Sequence, residues 1–360
     1  MLNVCPFKAI LPKINLISSP DSFFGQVKEQ YVTLQKAGYF YESKTEGFWV
    51  YQIKTANHTH IGLLAAVEVA AYLAGHVIKH EQTLAAKEEK TGKLIDERGA
   101  MIKPVLLAYP NVADISTYLK AVAATQNPTY TVSFKGAKHT LWSIDAPADI
   151  TAVQTLFATQ VPHTYIADGH HRVAAAVRQY QKNGTQSHIL AALFSADELT
   201  IWDYNRVVEG LDGQTPLTLL AKIAQLCDIE PLTKATRPTQ KHEFGMCLDG
   251  QWFLLRWREH ILAQATTLAD SLDVSLLDQK ILANLLGIYD IRTDNRVTYW
   301  EGIKGLEVLA MRGRQPTVSF CLYPVAITDL MDIADSGNTM PPKSTWFEPR
   351  IKNGFVAMGV

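Results

Sequence analysis

The run IGLLAAVEVAAYLAGHVI at residues 61–78 limits what this chain can become more than any other stretch. It is nearly long enough to cross a bilayer as a helix. Glu68 stands near its middle and His76 near its end, and an ionisable group at that depth in hydrocarbon is costly unless a function requires it. No second apolar span accompanies it, so it reads as the buried strand or helix of a soluble core. Periodicity alone does not choose between strand and helix. The composition supplies the domain such a core needs: 47% of the 360 residues are hydrophobic and 19% charged, which excludes dominant disorder and leaves room for two domains. With 34 Lys and Arg against 35 Asp and Glu the net charge is -1, so neither a basic nucleic-acid footprint nor an acidic solvating chain is expected. The four cysteines, Cys5, Cys227, Cys247 and Cys321, include no C-x-x-C pair and argue against a disulfide scaffold or a cysteine zinc site. The N-terminal MLNVCPFKAILPK shows no secretory pattern, so the expected compartment is the cytoplasm.

The rest of the chain alternates strand and helix patterns, which predicts an α+β (mixed α/β) fold. The N-terminal segment, with Pro6, Pro12 and Pro20, reads as extended and turning. FWVYQIK (48–54), PVLLAY (104–109) and VPHTYIA (161–167) read as strands, and TYTVSF and HTLWSI around KGAK as a hairpin. Helices are expected over 83–99, over 114–126 with an Asp114 cap, from an Asp149 cap to about Gln160, and over 172–184. GLDGQTP (210–216) is a plausible boundary, giving domains 1–210 and 211–360. Beyond it come a helix over 217–227, a strand pair in MCLDGQWFLLRW, a helix over 275–286, a strand over 317–323, a helix over 327–335 and the tail MPPKSTWFEPR.

The motif richest in chemistry is Asp168-Gly169-His170-His171-Arg172, placed where a strand ends and a helix begins. Such a corner offers backbone N–H groups and the positive end of a helix dipole. Gly169 permits close backbone approach, and His170, His171 and Arg172 add donors, so the corner describes an anion site, most naturally for phosphate. Asp168 would hold a metal ion, accept from a ribose hydroxyl or orient a histidine. The bland alternative is a capped helix with two exposed histidines. Lys79-His80-Glu81 reads locally as a solvated charged turn, although a carboxylate beside a phosphate site suits a general base. In the tail, Gly337 with Lys343-Ser344-Thr345 almost forms a P-loop, but Pro342 replaces its second glycine and no helix follows. Lys343, Ser344 and Thr345 remain candidates for an anion contact, with tail packing the equal alternative. His76 and His80 are spaced as helical metal ligands are, but Gly75 argues against a helix there.

HVIKHEQTLAAKEEKTGKLIDERG, YIADGHHRVAAA, NRVVEGL, LDVSLLDQKILANLLGI, DIRTDNRV and MPPKSTWFEPR, with Pro6-Phe7-Lys8-Ala9, span nearly the whole chain. Through them it resembles the uncharacterised bacterial and archaeal domain-of-unknown-function family 1015. The D-G-H-H-R region is in turn similar to the ParB/sulfiredoxin-like fold, within which free serine kinases phosphorylate L-serine with a nucleotide. That resemblance implies a ParB/sulfiredoxin-like N-terminal region in which Asp168, Gly169, His170, His171 and Arg172 handle phosphate, and it aligns Glu81 with the general base.

The resulting expectation is a cytoplasmic, nucleotide-dependent phosphotransferase acting on a small hydroxyl compound such as free L-serine. Glu81, His171 and Arg172 would be catalytic, ATP or ADP the donor, and Mg²⁺ the bridging ion, held by Asp168. The C-terminal half, including Lys343, would close over the site or form a homodimer surface. The alternative is a non-catalytic protein that binds a nucleotide or phosphometabolite as a regulator. A ParB-like DNA-binding module follows from analogy only, and the near-neutral charge and lack of a helix-turn-helix speak against it. No nucleic-acid or membrane partner is expected.

Overall fold

A computed structural model of the chain describes residues 2–184, 187–312 and 316–360. The fold is mixed α/β and divides into two compact units, one formed by Met1–Thr200 together with Pro349–Val360, the other by Ile201–Glu348. The division therefore falls about ten residues before the Gly210 turn, and the last residues rejoin the first unit rather than staying with the second.

The first unit is built on a nine-stranded sheet. Along it run Val77–Ile78, Thr164–Asp168, Val105–Tyr109, His188–Ser195, Thr59–Glu68, Phe48–Lys54, Ala137–Ile144 and Tyr130–Phe134, while Val4–Cys5 pairs with Thr59–Glu68. Two of its pairings are parallel, Val77–Ile78 with Thr164–Asp168 and Val105–Tyr109 with His188–Ser195. The apolar run at 61–78 thus divides into most of a central strand, Thr59–Glu68, the short helix Val69–Leu73 and the strand Val77–Ile78. Every residue from His60 to Val67 is buried, because both faces of the central strand are covered. Gly62 is needed within it, since a Cβ there would lie 2.6 Å from the Leu193 carbonyl oxygen and 2.7 Å from the Phe194 ring. Among the described residues no helix is long and apolar enough to cross a membrane.

Helix Ala85–Arg98 packs on helix His170–Asn183, the two ending at Gly99 and Gly184 in left-handed conformation. Gln179 Nε2 donates across their interface to Asp96 Oδ1 at 2.7 Å. A small sheet in the order Phe40–Glu42, Ala9–Pro12, Ala357–Gly359, Ala100–Met101 places the C-terminal strand between two N-terminal ones. This pairing is why residues 349–360 belong to the first unit.

The second unit contains a seven-stranded sheet in the order Cys227–Leu232, Gln251–Trp257, Glu243–Leu248, Thr317–Leu322, Thr200–Glu209, Val297–Glu301, with Thr345–Glu348 also pairing to Thr200–Glu209. Successive neighbours on that path are antiparallel. The expected helix over 275–286 starts at Asp273 and widens into π-type turns over Leu277–Ala283.

Other helix starts also differ from expectation. Pro20–Lys36, read as turning chain, is a helix capped by the Ser19 side chain with Pro20 in its first turn. The next, Ala113–Thr125, begins one residue before Asp114, which lies in the first turn and accepts from Gln160 Nε2 at 2.9 Å. Helix Pro147–Gln160 likewise begins ahead of Asp149. Both acids complement the helix dipole instead of capping. All four cysteines are free.

Candidate functional site

Strand Thr164–Asp168 delivers Asp168 to the sheet's end, and Gly169 turns the chain into helix His170–Asn183. Gly169 has φ +112°, and a Cβ there would lie 2.5 Å from Arg172 Nη2. Only glycine lets the Arg172 guanidinium fold back over the turn. Arg172 then donates to Asp168 Oδ2 at 3.0 Å and to its carbonyl at 3.3 Å.

Asp168 is the hub of a cationic cluster. Lys103 Nζ donates to Oδ2 at 2.8 Å, and Arg350 Nη1 lies 3.5 Å from Oδ1. Burial works to raise the Asp168 carboxyl pKa, but Arg172, Lys103 and Arg350 hold it far below the usual carboxylate range. Three cations meet one carboxylate, so the cluster keeps a positive excess. Burial, with Arg172 beside it, pushes Lys103 down to about 8. Both Asp168 oxygens are engaged by cations. The expectation that Asp168 holds Mg²⁺ therefore does not fit: a hard divalent ion needs free oxygen ligands, and here it would meet three positive groups.

Next to this cluster opens a cavity of about 400 Å³ lined by Lys28, Arg98, Lys103, Arg172 and Asn353 among apolar neighbours. No acidic side chain occurs among its described lining residues. Its size falls in the range of small-molecule pockets. Arg98 comes from the last turn of helix Ala85–Arg98 and donates to the Lys28 carbonyl at 2.6 Å. Asn353 and Arg350 arrive with the returning C-terminal segment.

The two histidines of the motif behave differently from the expected pair of cationic donors. His170 is buried against His80, ring centroids 4.5 Å apart at 84°. Burial pushes its pKa down to about 3, with Asp168 opposing and His171 and Arg172 adding to the shift, so near neutral pH it carries no charge. His171 Nε2 accepts from the Leu84 backbone N–H at 3.3 Å, at the start of helix Ala85–Arg98. It serves as an acceptor that ties the loop before that helix to the corner.

Glu81 faces the corner: its Oε2 lies 4.0 Å from His170 Nδ1, and its side chain is 30% exposed. The charged turn at 79–81 is thus placed beside the motif by Val77–Ile78, which pairs with Thr164–Asp168. His80, Glu81 and His170 bring ligand atoms within 4.8 Å of one another, a set suited by type to a transition metal. The helix N-terminus and the neighbouring cations oppose a further positive charge there. His76, which precedes strand Val77–Ile78, is not on a helix with His80 and stacks on His163 instead.

Lys343, Ser344 and Thr345 lie in the second unit. The Lys343 carbonyl accepts from Arg206 Nη1 at 2.9 Å, and its ammonium sits 5.3 Å from the Tyr204 ring centroid. The Ser344 hydroxyl donates to the Pro341 carbonyl at 2.5 Å, and Thr345 opens a strand. Each has a packing role within its own unit.

Sequence reading missed Lys28, Arg98, Lys103, Arg350 and Asn353. Three of them stood in or beside recognised patterns: Arg98 inside the quoted stretch that ends LIDERG, Lys103 next to the Pro104 strand start, and Arg350 at the end of the quoted tail.

A family model described as "Protein of unknown function (DUF1015)" matches residues 7–275. No curated protein matches the chain. Solved structures similar to it include SbnI with C-terminal truncation from Staphylococcus aureus, 13% identical over 81% of this chain and 85% of that one, TM-score 0.42. A conserved hypothetical protein from Pyrococcus furiosus is 15% identical over 82% and 94%, TM-score 0.42. A free serine kinase in complex with AMP is 14% identical over 79% and 86%, TM-score 0.41.

Proposed function

The chain belongs to the DUF1015 family of proteins of unknown function, and we propose that it is a nucleotide-dependent phosphotransferase acting on the hydroxyl of a small molecule such as free L-serine. One observation carries this reading: the cavity of about 400 Å³ walled by Lys28, Arg98, Lys103 and Arg172 beside a strand-to-helix corner. Basic side chains facing a partly apolar pocket match a ligand with a polyanionic end and a flat apolar end, as a nucleotide has. The ParB/sulfiredoxin-like reading of residues 1–210 is part of the same proposal.

In this reading the phosphates of ATP or ADP meet Lys103 and Arg172, with Arg350 behind them. The substrate oxygen attacks the terminal phosphorus, forming one O–P bond as the bridging O–P bond breaks. The hydroxyl proton passes to the Glu81 carboxylate, and the shortened nucleotide leaves with the bridging oxygen. Lys103 and Arg172 stabilise the charge that builds on the transferred group and the leaving oxygen. His170, neutral and buried, positions Glu81, and His171 fixes the loop that carries it. When bound, Mg²⁺ would shield phosphate charge; Asp168 is assigned no part in holding it.

The engagement of both Asp168 oxygens favours one second reading, a protein that binds a nucleotide or phosphometabolite without turning it over. Incubation with ATP or ADP, Mg²⁺ and L-serine or a pool of hydroxyl metabolites, followed by ³¹P NMR, separates the two. The kinase reading expects a new phosphomonoester. Arg172→Ala and Lys103→Ala should each lower kcat by about 10²–10³. Binding with no product from any hydroxyl compound supports the regulator, and unchanged turnover in both variants removes the assigned mechanism.

A further inference from the structure

On three strands of the first unit's main sheet, away from the cationic corner in sequence, the chain gathers Cys5, Glu68 and His188, with one ligand atom from each within 4.8 Å of the others. We propose that these residues form a site for a borderline-soft divalent cation, Zn²⁺ being the best match. Thiolate, imidazole and carboxylate are the donors zinc prefers, and three protein ligands leave a fourth position for water or a substrate atom.

The backbone fixes the three positions. Strand Val4–Cys5 pairs with Thr59–Glu68 so that Cys5 lies opposite Ala66, and His188 lies directly opposite Glu68. The ligands thus come from three hydrogen-bonded strands, not from a flexible loop. This is also why no C-x-x-C or H-x-x-x-H spacing announces them: 63 and 120 residues separate consecutive ligands along the chain (68 minus 5, 188 minus 68). Zinc bonds of roughly 2.0–2.3 Å require the donor atoms to close in by about an ångström, which side-chain rotation allows at partly exposed positions.

Two further observations favour a cation here. The Ser187 hydroxyl lies 2.9 Å from His188 Nδ1 and so holds the ring, the kind of supporting contact a metal-bound imidazole usually has. His188 also lines a cavity of about 360 Å³ whose described lining residues include two acidic ones, Glu42 and Glu46, and one lysine, Lys8. The surroundings are acidic on balance, the opposite of the cationic corner at Asp168. Cys5 is partly exposed, whereas Cys227, Cys247 and Cys321 are buried, so Cys5 is the cysteine within reach of an ion from solution.

Titration of the reduced, metal-free full chain with Co²⁺ tests the proposal. The expected result is one equivalent bound with the near-ultraviolet thiolate-to-cobalt charge-transfer band, displaced by Zn²⁺. Cys5→Ser and His188→Ala should each abolish the band, and Ser187→Ala should weaken binding by about 10-fold. Zn²⁺ should also slow alkylation of Cys5 by iodoacetamide in the unmodified chain, a readout independent of any variant's folding. A bound equivalent without the thiolate band places the ion away from Cys5, His80, Glu81 and His170 being the other candidate set among the described residues, and overturns the proposal. So does a band that survives Cys5→Ser, or alkylation unaffected by Zn²⁺.

Discussion

Gly169 is the residue on which the cationic corner turns. Its φ of +112° strains any L side chain, and a Cβ would occupy the space of the Arg172 guanidinium. Gly169→Ala should cost about 1–3 kcal/mol in urea unfolding, from the backbone alone. Because Arg172 must move as well, nucleotide affinity should fall at the same time. A variant with full affinity would show that Arg172's position over the turn is not what binds. Lys103 makes a second residue-scale prediction, through pH. With its pKa pushed down to about 8, it is a cation below that pH and neutral above it. Anion affinity should therefore decline as pH rises through 8, although a bound phosphate will move the midpoint upward. Stability should run the other way. Between about 8 and the ordinary lysine value of about 10.4, the unfolded chain holds a proton that the folded chain has lost, so this group's contribution to stability rises with pH. Lys103→Arg keeps its charge throughout and should flatten the affinity profile. Calorimetric titration with ADP at several pH values reads both chains, and parallel profiles would exclude Lys103 from the binding step.

The elements were unevenly legible. Strands 48–54 and 104–109 and the hairpin of Tyr130–Phe134 with Ala137–Ile144 follow directly from β-branched and aromatic residues between turn signals. Helix Pro20–Lys36 was hidden because Ser19-Pro20 is equally a turn signal and a helix start, and only tertiary contacts decide. The strand-turn-helix at Asp168–Arg172 was readable for the same local reason as the hairpin, but the fold of Arg172 back onto Asp168 was not, since Asp168 was expected to meet a metal ion, a ribose hydroxyl or a histidine. Nor were its other cationic partners. Lys103 is 65 residues away from Asp168, and Arg350 arrives only through the pairing of Ala357–Gly359. Nor does the sequence tell that His170 faces inward, since adjacent histidines on a helix start point in different directions and packing chooses which is buried. The C-terminal segment is anchored by Phe355, which is 2% exposed and stacks on Phe24, Phe134 and Tyr51 while its carbonyl accepts from the Tyr130 hydroxyl. Phe355→Ala should cost about 3–5 kcal/mol. It should also weaken nucleotide binding, since Arg350 and Asn353 precede the anchor. Arg350→Ala separates the two effects. Its ion pair is partly exposed, so its loss should cost less stability than Phe355→Ala while affinity drops.

At the scale of the whole molecule, the chain's two ends build one unit and its middle builds the other. Gly210–Pro216 looked like a boundary because its composition is that of a linker, but a strand, Thr200–Glu209, already belongs to the second sheet before that turn. Composition marks where a chain is free of structure; it does not record which sheet the next strand joins. The return of residues 349–360 is the stronger example, since pairing with Ala9–Pro12 and Ala100–Met101 spans almost the full length of the sequence. Removing everything after Glu348 deletes an inner strand of the small sheet and exposes the edges of both neighbours. It also removes Arg350 and Asn353 from the cationic corner. All strands of the second unit's sheet remain, because they lie within 200–348. Scanning calorimetry of the truncated chain should therefore show a transition lowered for the first unit and retained for the second. Limited proteolysis should cut first within residues 1–200. Loss of both transitions together would mean that the terminal strand supports the entire molecule and not one unit of it.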